Sequence, residues 1–140
     1  MTLIDLPTAE FISLPVRGTV LAGTTGFQSP AEDYGETRID LAKELVTTIA
    51  SVFCMRVQGS SMTEAGIFDG DILVADRARS PKSGDIVIAD THDLRVVKRL
   101  RITKGRCVLL AEAEGHAAIK VDPDQGVRIV GVVIHTIHSF

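Results

Sequence analysis

Two stretches of this sequence carry side chains that could make and break bonds. VQGSSMTEAGIFDGD, residues 57–71, sets Ser60 and Ser61 in a glycine-led turn. A serine hydroxyl is a weak nucleophile until a base takes its proton. No G-x-S-x-G elbow surrounds the pair and no histidine stands near it in sequence, so the base has to come from elsewhere in the chain. LRVVKRL, residues 94–100, supplies a candidate. Read as a strand, it puts Leu94, Val96, Lys98 and Leu100 on one face and Arg95, Val97, Arg99 and Arg101 on the other. Lys98 is the odd cation in an apolar row. An amine denied water loses basicity from its usual pKa of about 10.4, and a neutral lysine can act as a general base. Serine–lysine pairs are known variants of the triad logic that dispense with histidine. Each residue also has a plainer reading: Lys98 snorkels to the rim of a core, and serines in a turn bond nearby backbone. Taken together, each supplies the partner the other lacks.

A β-rich scaffold has to position them. The chain has 140 residues, 45% hydrophobic and 24% charged, enough for one domain with a real core. With 4% aromatics and no tryptophan, that core falls to Val, Ile, Leu and Ala, whose short β-branched runs favour strands. Residues 1–35 differ: Pro7, Pro15, Pro30 and an AGTTG tract suit an extended arm. Its apolar residues, among them Phe11, Leu14, Val16 and Phe27, are too many for a free tail. An arm docked on a surface fits them. Residues 37–50, TRIDLAKELVTTIA, place Ile39, Ala42, Leu45, Val46 and Ile49 at helical spacing, predicting a short amphipathic helix capped by Asp40 or Thr37. Beyond it FCMRV, DGDILVAD, SGDIVIAD, LRVVKRLRI, RCVLLAEA and GVRIVGVVIHTIHSF read as strand upon strand, about seven in a mostly β domain of residues 36–140.

Several function classes drop away. A net charge of −3 makes the whole chain no polycationic nucleic-acid binder. Cys54 and Cys107 have no metal-ligand spacing, and Cys54, in the apolar run SVFCMRV, reads as a core filler. VLAG at 20–23 resembles a signal cleavage site, but Asp5, Glu10, Pro7 and Pro15 precede it where a signal needs basic and apolar residues. The expectation is a cytoplasmic protein. His135 and His138 are poor co-ligands on a strand, so no metal and no cofactor are expected. The basic stretch from Arg95 to Arg106 lacks interleaved aromatics and reads as a solvated hairpin face, with a contact to a macromolecular partner as its functional rival. The run GVRIVGVVIHTI, apolar on both faces, is a buried strand or a subunit contact.

G-S-S-M-T-E-A-G-I-F-D-G-D-I-L-V-A-D, then S-G-D-I-V-I-A, then V-V-K-R-L, resembles the self-cleaving protease domain of the LexA/UmuD family, and within it the UmuD-like branch. The resemblance runs from about residue 20 to the C-terminus and includes GFQSPAEDYGETRIDL and GVVIHTIH. It implies a mostly β protease domain with a short helix and an extended N-terminal arm. It makes Ser61, the serine before methionine, the nucleophile and Lys98 the base, 37 positions apart as is usual in the family. Backbone N–H groups of Ser60, Ser61 and Met62 are then the oxyanion donors. The family's substrate is its own arm, cut before a glycine that precedes F-x-S-P. The matching bond is Thr25–Gly26, although relatives have Ala or Cys where Thr25 stands. Residue chemistry offers Ala22–Gly23 as the alternative. The resemblance further implies cleavage promoted by a RecA filament on single-stranded DNA. The trimmed homodimer would then serve a UmuC-type polymerase in error-prone translesion synthesis during the SOS response to DNA damage. No membrane contact and no sequence-specific DNA binding are expected. The arm is too short for the winged helix-turn-helix of the repressors. The rivals are a non-cleaving binding module of the same fold and a repressor-type dimerisation domain.

Overall fold

The structure, a computed structural model, describes residues 12–23, 37–46 and 48–140. It divides into two compact units, Met1–Thr47 and Thr48–Phe140.

In the first unit β1 (Ser13–Val16) pairs antiparallel with β2 (Thr37–Asp40), with Leu14 opposite Ile39 and Pro15 opposite Arg38. Arg38 fastens the far end of the ribbon, its guanidinium donating to Ser13 Oγ at 2.9 Å and to the Ser13 carbonyl at 2.8 Å. The one α-helix among the described residues, α1, covers Leu41–Leu45 and not the fourteen residues of the helical pattern. Asp40 caps it as expected, its Oδ1 accepting from the N–H groups of Ala42 and Lys43. The pattern overreached at both ends. Thr37–Asp40 found a strand partner more than twenty residues upstream, and Val46 has already returned to extended backbone. A β-branched valine at that point loses little by leaving the helix.

The second unit is one antiparallel sheet of seven strands: β3 (Val52–Arg56), β4 (Ile72–Asp76), β5 (Ile86–Asp90), β6 (Arg95–Thr103), β7 (Arg106–Leu110), β8 (Ile119–Lys120) and β9 (Arg128–Ile137). Their order across the sheet is β3-β4-β9-β5-β6-β7-β8. The last strand in sequence thus lies in the interior, paired along its length with β4 and β5, which is what its two apolar faces demand. The register slips by one residue at Val74/Ala75 and again at Ile88/Ala89, bending the sheet there. Gly131, opposite Ile88, leaves room for the Phe53 ring, which a Cβ would meet at 2.9 Å.

Val87, Ile88 and Ala89 are all buried, yet alternate between two clusters. Ile88 packs with Val57, Met62, Ile67, Leu73 and Ala75. Val87 and Ala89 pack with Leu100, Leu109, Val127 and Val132. Period-two alternation on a strand places one cluster on each face of the sheet. Cys54 is exposed, contrary to the core role its apolar surroundings suggested. On the edge strand β3 it is Phe53 and Met55 that turn inward, so the residue between them turns out.

Candidate active site

The loop from Val57 to Asp71 carries the serines and is closed on itself by short bonds. Val57 N–H donates to the Asp71 carbonyl and Gly70 N–H to the Val57 carbonyl, each at 2.8 Å. Gly59 N–H donates to Asp69 Oδ1 at 2.8 Å, with Gly59 at a φ of 101° that a side chain would resist. A 3-10 turn, Thr63–Ala65, follows the serines and ends at Gly66 in the left-handed region. Met62 and Ile67, 1% and 2% exposed, nail the loop to the core. Ser60 is therefore held outward and Ser61 half-buried.

Asp71 anchors the far end. It is 2% exposed, and its carboxylate accepts from Phe68 N–H at 2.9 Å and Thr136 Oγ1 at 3.4 Å while facing His138 Nδ1 at 2.5 Å. Burial alone would raise its pKa. The Phe68 N–H, the hydrogen bond and charge of His138, and the Thr136 hydroxyl outweigh that and hold it below the usual carboxylate range. His138 lies beyond the end of β9, its ring tilted against Phe68 and edge-on to Phe140, while His135 sits on β9 opposite Val74. Among the described residues no group of three histidine, cysteine or acidic side chains could hold a metal.

Opposite the loop, β6 carries Lys98 across from Val87. Lys98 is 8% exposed and has no ion-pair or hydrogen-bond partner among the described residues. Burial is the one cause that pushes its pKa below the ordinary lysine value. The two faces of β6 follow the alternation expected from sequence. Val96 and Leu100 lie in one core cluster, Val97 in the other, and Arg99 reaches Glu112. A cleft of about 390 Å³ opens here and takes residues from both faces of β6, Val96 and Lys98 from one and Val97 from the other, with Ser61, Val57, Leu73 and Ile88 completing its wall. No hydrogen bond joins Ser61 Oγ to Lys98 Nζ. Unliganded sites are often looser than their reacting form. Among the described residues the N–H groups of Ser60, Ser61 and Met62 donate to no protein acceptor, whereas Ala65 and Ile67 N–H both donate to the Met62 carbonyl.

Sequence reading missed the connection between loop and strand. Glu112 N–H donates to the Ser61 carbonyl at 2.8 Å, and Glu64 N–H donates to the Glu112 carbonyl at 2.8 Å. The Glu112 side chain accepts from Arg99 Nε at 2.7 Å. Residue 112 thus clips the serine turn to the strand that bears Lys98. Asp71 and His138 were missed as well. The signal for Asp71 was an aspartate directly before a buried strand, a place where an unpartnered carboxylate is too costly to leave.

Of the two bonds considered for cleavage, Ala22–Gly23 lies in an exposed bend after β1. Thr25 and Gly26 lie outside the described residues. Arg95, expected to be solvated, grips Asp90 with two bonds of 2.6 and 3.0 Å. No helix among the described residues is long and apolar enough to cross a membrane.

Comparison with known proteins agrees with the resemblance read from the motifs. The protein named ImpA of Salmonella typhimurium is 41% identical over 113 residues, covering 81% of this chain and 77% of its own; its namesake in Escherichia coli matches equally. The LexA repressor of Xylella fastidiosa strain 9a5c is 38% identical over 131 residues, covering 94% of this chain, which spans 60% of the repressor's length. Residues 15–134 match the family described as Peptidase S24-like. With six-sevenths of its length inside that match, the chain belongs to the Peptidase S24-like family.

Proposed function

We propose that this protein is a serine endopeptidase that cuts its own N-terminal arm with Ser61 as nucleophile and Lys98 as base. The observation that carries the reading is a buried lysine without a counter-charge sharing one cleft with a turn serine, in a chain of the Peptidase S24-like family. Functionally the chain then divides into an arm, residues 1–35, and a protease and dimerisation domain, residues 36–140. Neutral Lys98 takes the Ser61 proton, and the alkoxide attacks the carbonyl of the residue before glycine. The backbone N–H groups of Ser60, Ser61 and Met62 receive the oxyanion, each worth about 3 kcal/mol of barrier. Protonated Lys98 returns its proton to the departing amine, and water hydrolyses the ester. The bond is Thr25–Gly26, with Ala22–Gly23 as the alternative. A tethered substrate enjoys a high effective concentration, so control lies in the population of the arm conformer that enters the cleft.

In this reading a RecA filament on single-stranded DNA shifts that population in the cytoplasm. The trimmed homodimer then joins a UmuC-type polymerase in translesion synthesis. The ImpA match supports this branch. A second reading has equal footing, because the LexA repressor aligns with 94% of the chain: the same cleavage would then switch off a dimeric repressor of the SOS response.

Intact mass against time tests the chemistry, for wild type, Ser61→Ala and Lys98→Ala between pH 7 and 10, with and without RecA, ATP and single-stranded DNA. Wild type sheds its arm faster as pH rises and both variants stay whole; the fragment mass names the bond. A wild type that stays whole with RecA present would sink self-processing and leave a non-cleaving binding module. Co-purification with a UmuC-type polymerase, set against binding of operator DNA, separates the two cellular roles.

A further inference from the structure

Charge is unevenly spread along this acidic chain. Residues 77–106 hold nine of its fifteen lysines and arginines but three of its eighteen acids. The sheet register converts part of that bias into a surface. In the β6-β7 pair Arg101 stands opposite Val108 and Thr103 opposite Arg106, and in the β7-β8 pair Val108 stands opposite Lys120. Residues opposite one another, or two apart on one strand, share a face. Arg101, Arg106 and Lys120 therefore occupy one face of three adjacent strands, and all three are exposed. The reverse face carries Leu100, Leu109, Cys107 and Ile119 and is packed into the core, which fixes the cationic side outward. No ion pair engages the three cations among the described residues. Glu112, just beyond β7, holds Arg99. Ser83, whose Oγ accepts from Ile102 N–H at 2.9 Å, lays the Lys82 segment along the other side of β6, continuing the line of β5.

We propose that this face of β6, β7 and β8 binds the phosphodiester backbone of a nucleic acid. Strands two apart are separated by roughly 10 Å, so Arg101 and Lys120 bracket a span comparable to about two successive phosphates of one nucleic-acid strand. Two arginines suit phosphate oxygens, which they can grip with two donors each. The described surface around them has no aromatic side chain on which a base could stack, so recognition is by backbone charge and indifferent to sequence. An acidic protein would meet the same charge, but two cations on one cross-strand row, Arg101 and Lys120, with Arg106 offset two residues along β7, match the repeated charges of a phosphodiester chain better.

Fluorescence anisotropy of a labelled single-stranded oligodeoxynucleotide, titrated with the full chain at several salt concentrations, tests this. Three contacts give a slope of log K against log salt near −2, at about −0.7 per phosphate on a single strand. Arg101→Glu, Arg106→Glu and Lys120→Glu each weaken binding several-fold and flatten the slope by about 0.7, whereas Arg17→Glu, an equal charge change at an exposed arginine of the other unit, leaves both unchanged. Thermal melts check that the variants are folded. Equal loss in Arg17→Glu would mean that net charge and not this face is responsible, and tighter binding of poly-glutamate than of the oligonucleotide would assign the face to an acidic protein. Either result overturns the proposal.

Discussion

Lys98→Met separates what Lys98 costs the fold from what it does for chemistry. Lys98 is 8% exposed, faces Val87 at 0% across the strand pair, and has no counter-charge. Burial is the sole cause of its lowered pKa. Below its lowered pKa the folded protein therefore carries a charge that the unfolded chain would rather solvate. Methionine keeps an unbranched stem of nearly the same length and removes the charge, so the variant is more stable wherever the lysine stays charged. Alanine is the wrong probe, since losing three methylenes at about 0.8 kcal/mol each would offset the gain. The sign with pH follows from linkage. Below the folded pKa both states hold the proton and the penalty is full. Between the folded pKa and 10.5 the unfolded state alone stays protonated, so wild-type stability climbs. Above 10.5 the penalty is gone and methionine has no advantage left. Each unit of lowering is worth about 1.4 kcal/mol, a visible share of the roughly 5–15 kcal/mol of a whole domain. The assay is urea unfolding from pH 7 to 11 in a Ser61→Ala background, where no cleavage intrudes, with and without Lys98→Met. The midpoint of the wild-type cleavage profile against pH supplies an independent value for the same group. The stability gain on the plateau below that midpoint must equal about 1.4 kcal/mol times the distance of the midpoint below 10.5. A gain that does not change with pH, or two values more than a unit apart, would refute Lys98 as the titrating base.

Three further outcomes follow from the contacts around the loop. Asp71→Asn keeps the shape of the anchor but loses its charge, so the melting temperature falls and self-cleavage slows; in wild type, where this carboxylate is held below 3.8, its contribution persists above that pH and is lost as pH falls through the lowered value, which acid unfolding of the two proteins reads directly. Glu112→Gln, which weakens a half-buried pair with Arg99, costs about 1 kcal/mol or less in unfolding, yet slows cleavage at least tenfold because small displacements of reacting groups are expensive; a rate that tracks stability alone would remove Glu112 from the positioning scheme. Cys54, exposed on the sheet edge, reacts with a maleimide in the native protein well before Cys107 does, as peptide mapping after a short pulse would show.

The buried lysine was more legible in the sequence than the contacts that hold the serine turn beside its strand. Lys98 could be singled out because a strand alternates, and a cation in phase with Val96 and Leu100 cannot easily escape the core. The same reasoning handled β5 and β9, whose unbroken apolar runs require cover on both faces. It failed where the deciding partner is distant in sequence. Ile39 reads equally well on a helix or a strand until Leu14 is known to lie opposite it. The two residues of β8 carry too little pattern to be seen at all. Cys54 was misjudged by composition when phase would have sufficed, since it alternates with Phe53 and Met55 and keeps step with the exposed Arg56.

The missed residues share a logic that bears on the dyad itself. Lys98 and Arg99 are neighbours on β6 and so point to opposite faces. One face gives the lysine its dry surroundings. The other lets Arg99 hold Glu112, whose backbone takes the Ser61 carbonyl on one side and gives its own to Glu64 on the other. The placement of serine relative to lysine is therefore fixed through one peptide bond, one ion pair and two backbone hydrogen bonds, without any bond between the two side chains. An arrangement of that kind suits a base that must be neutral to act. A direct Ser61–Lys98 hydrogen bond would change character with protonation of the lysine, whereas this clip does not involve the lysine's amine and leaves its proton as the variable.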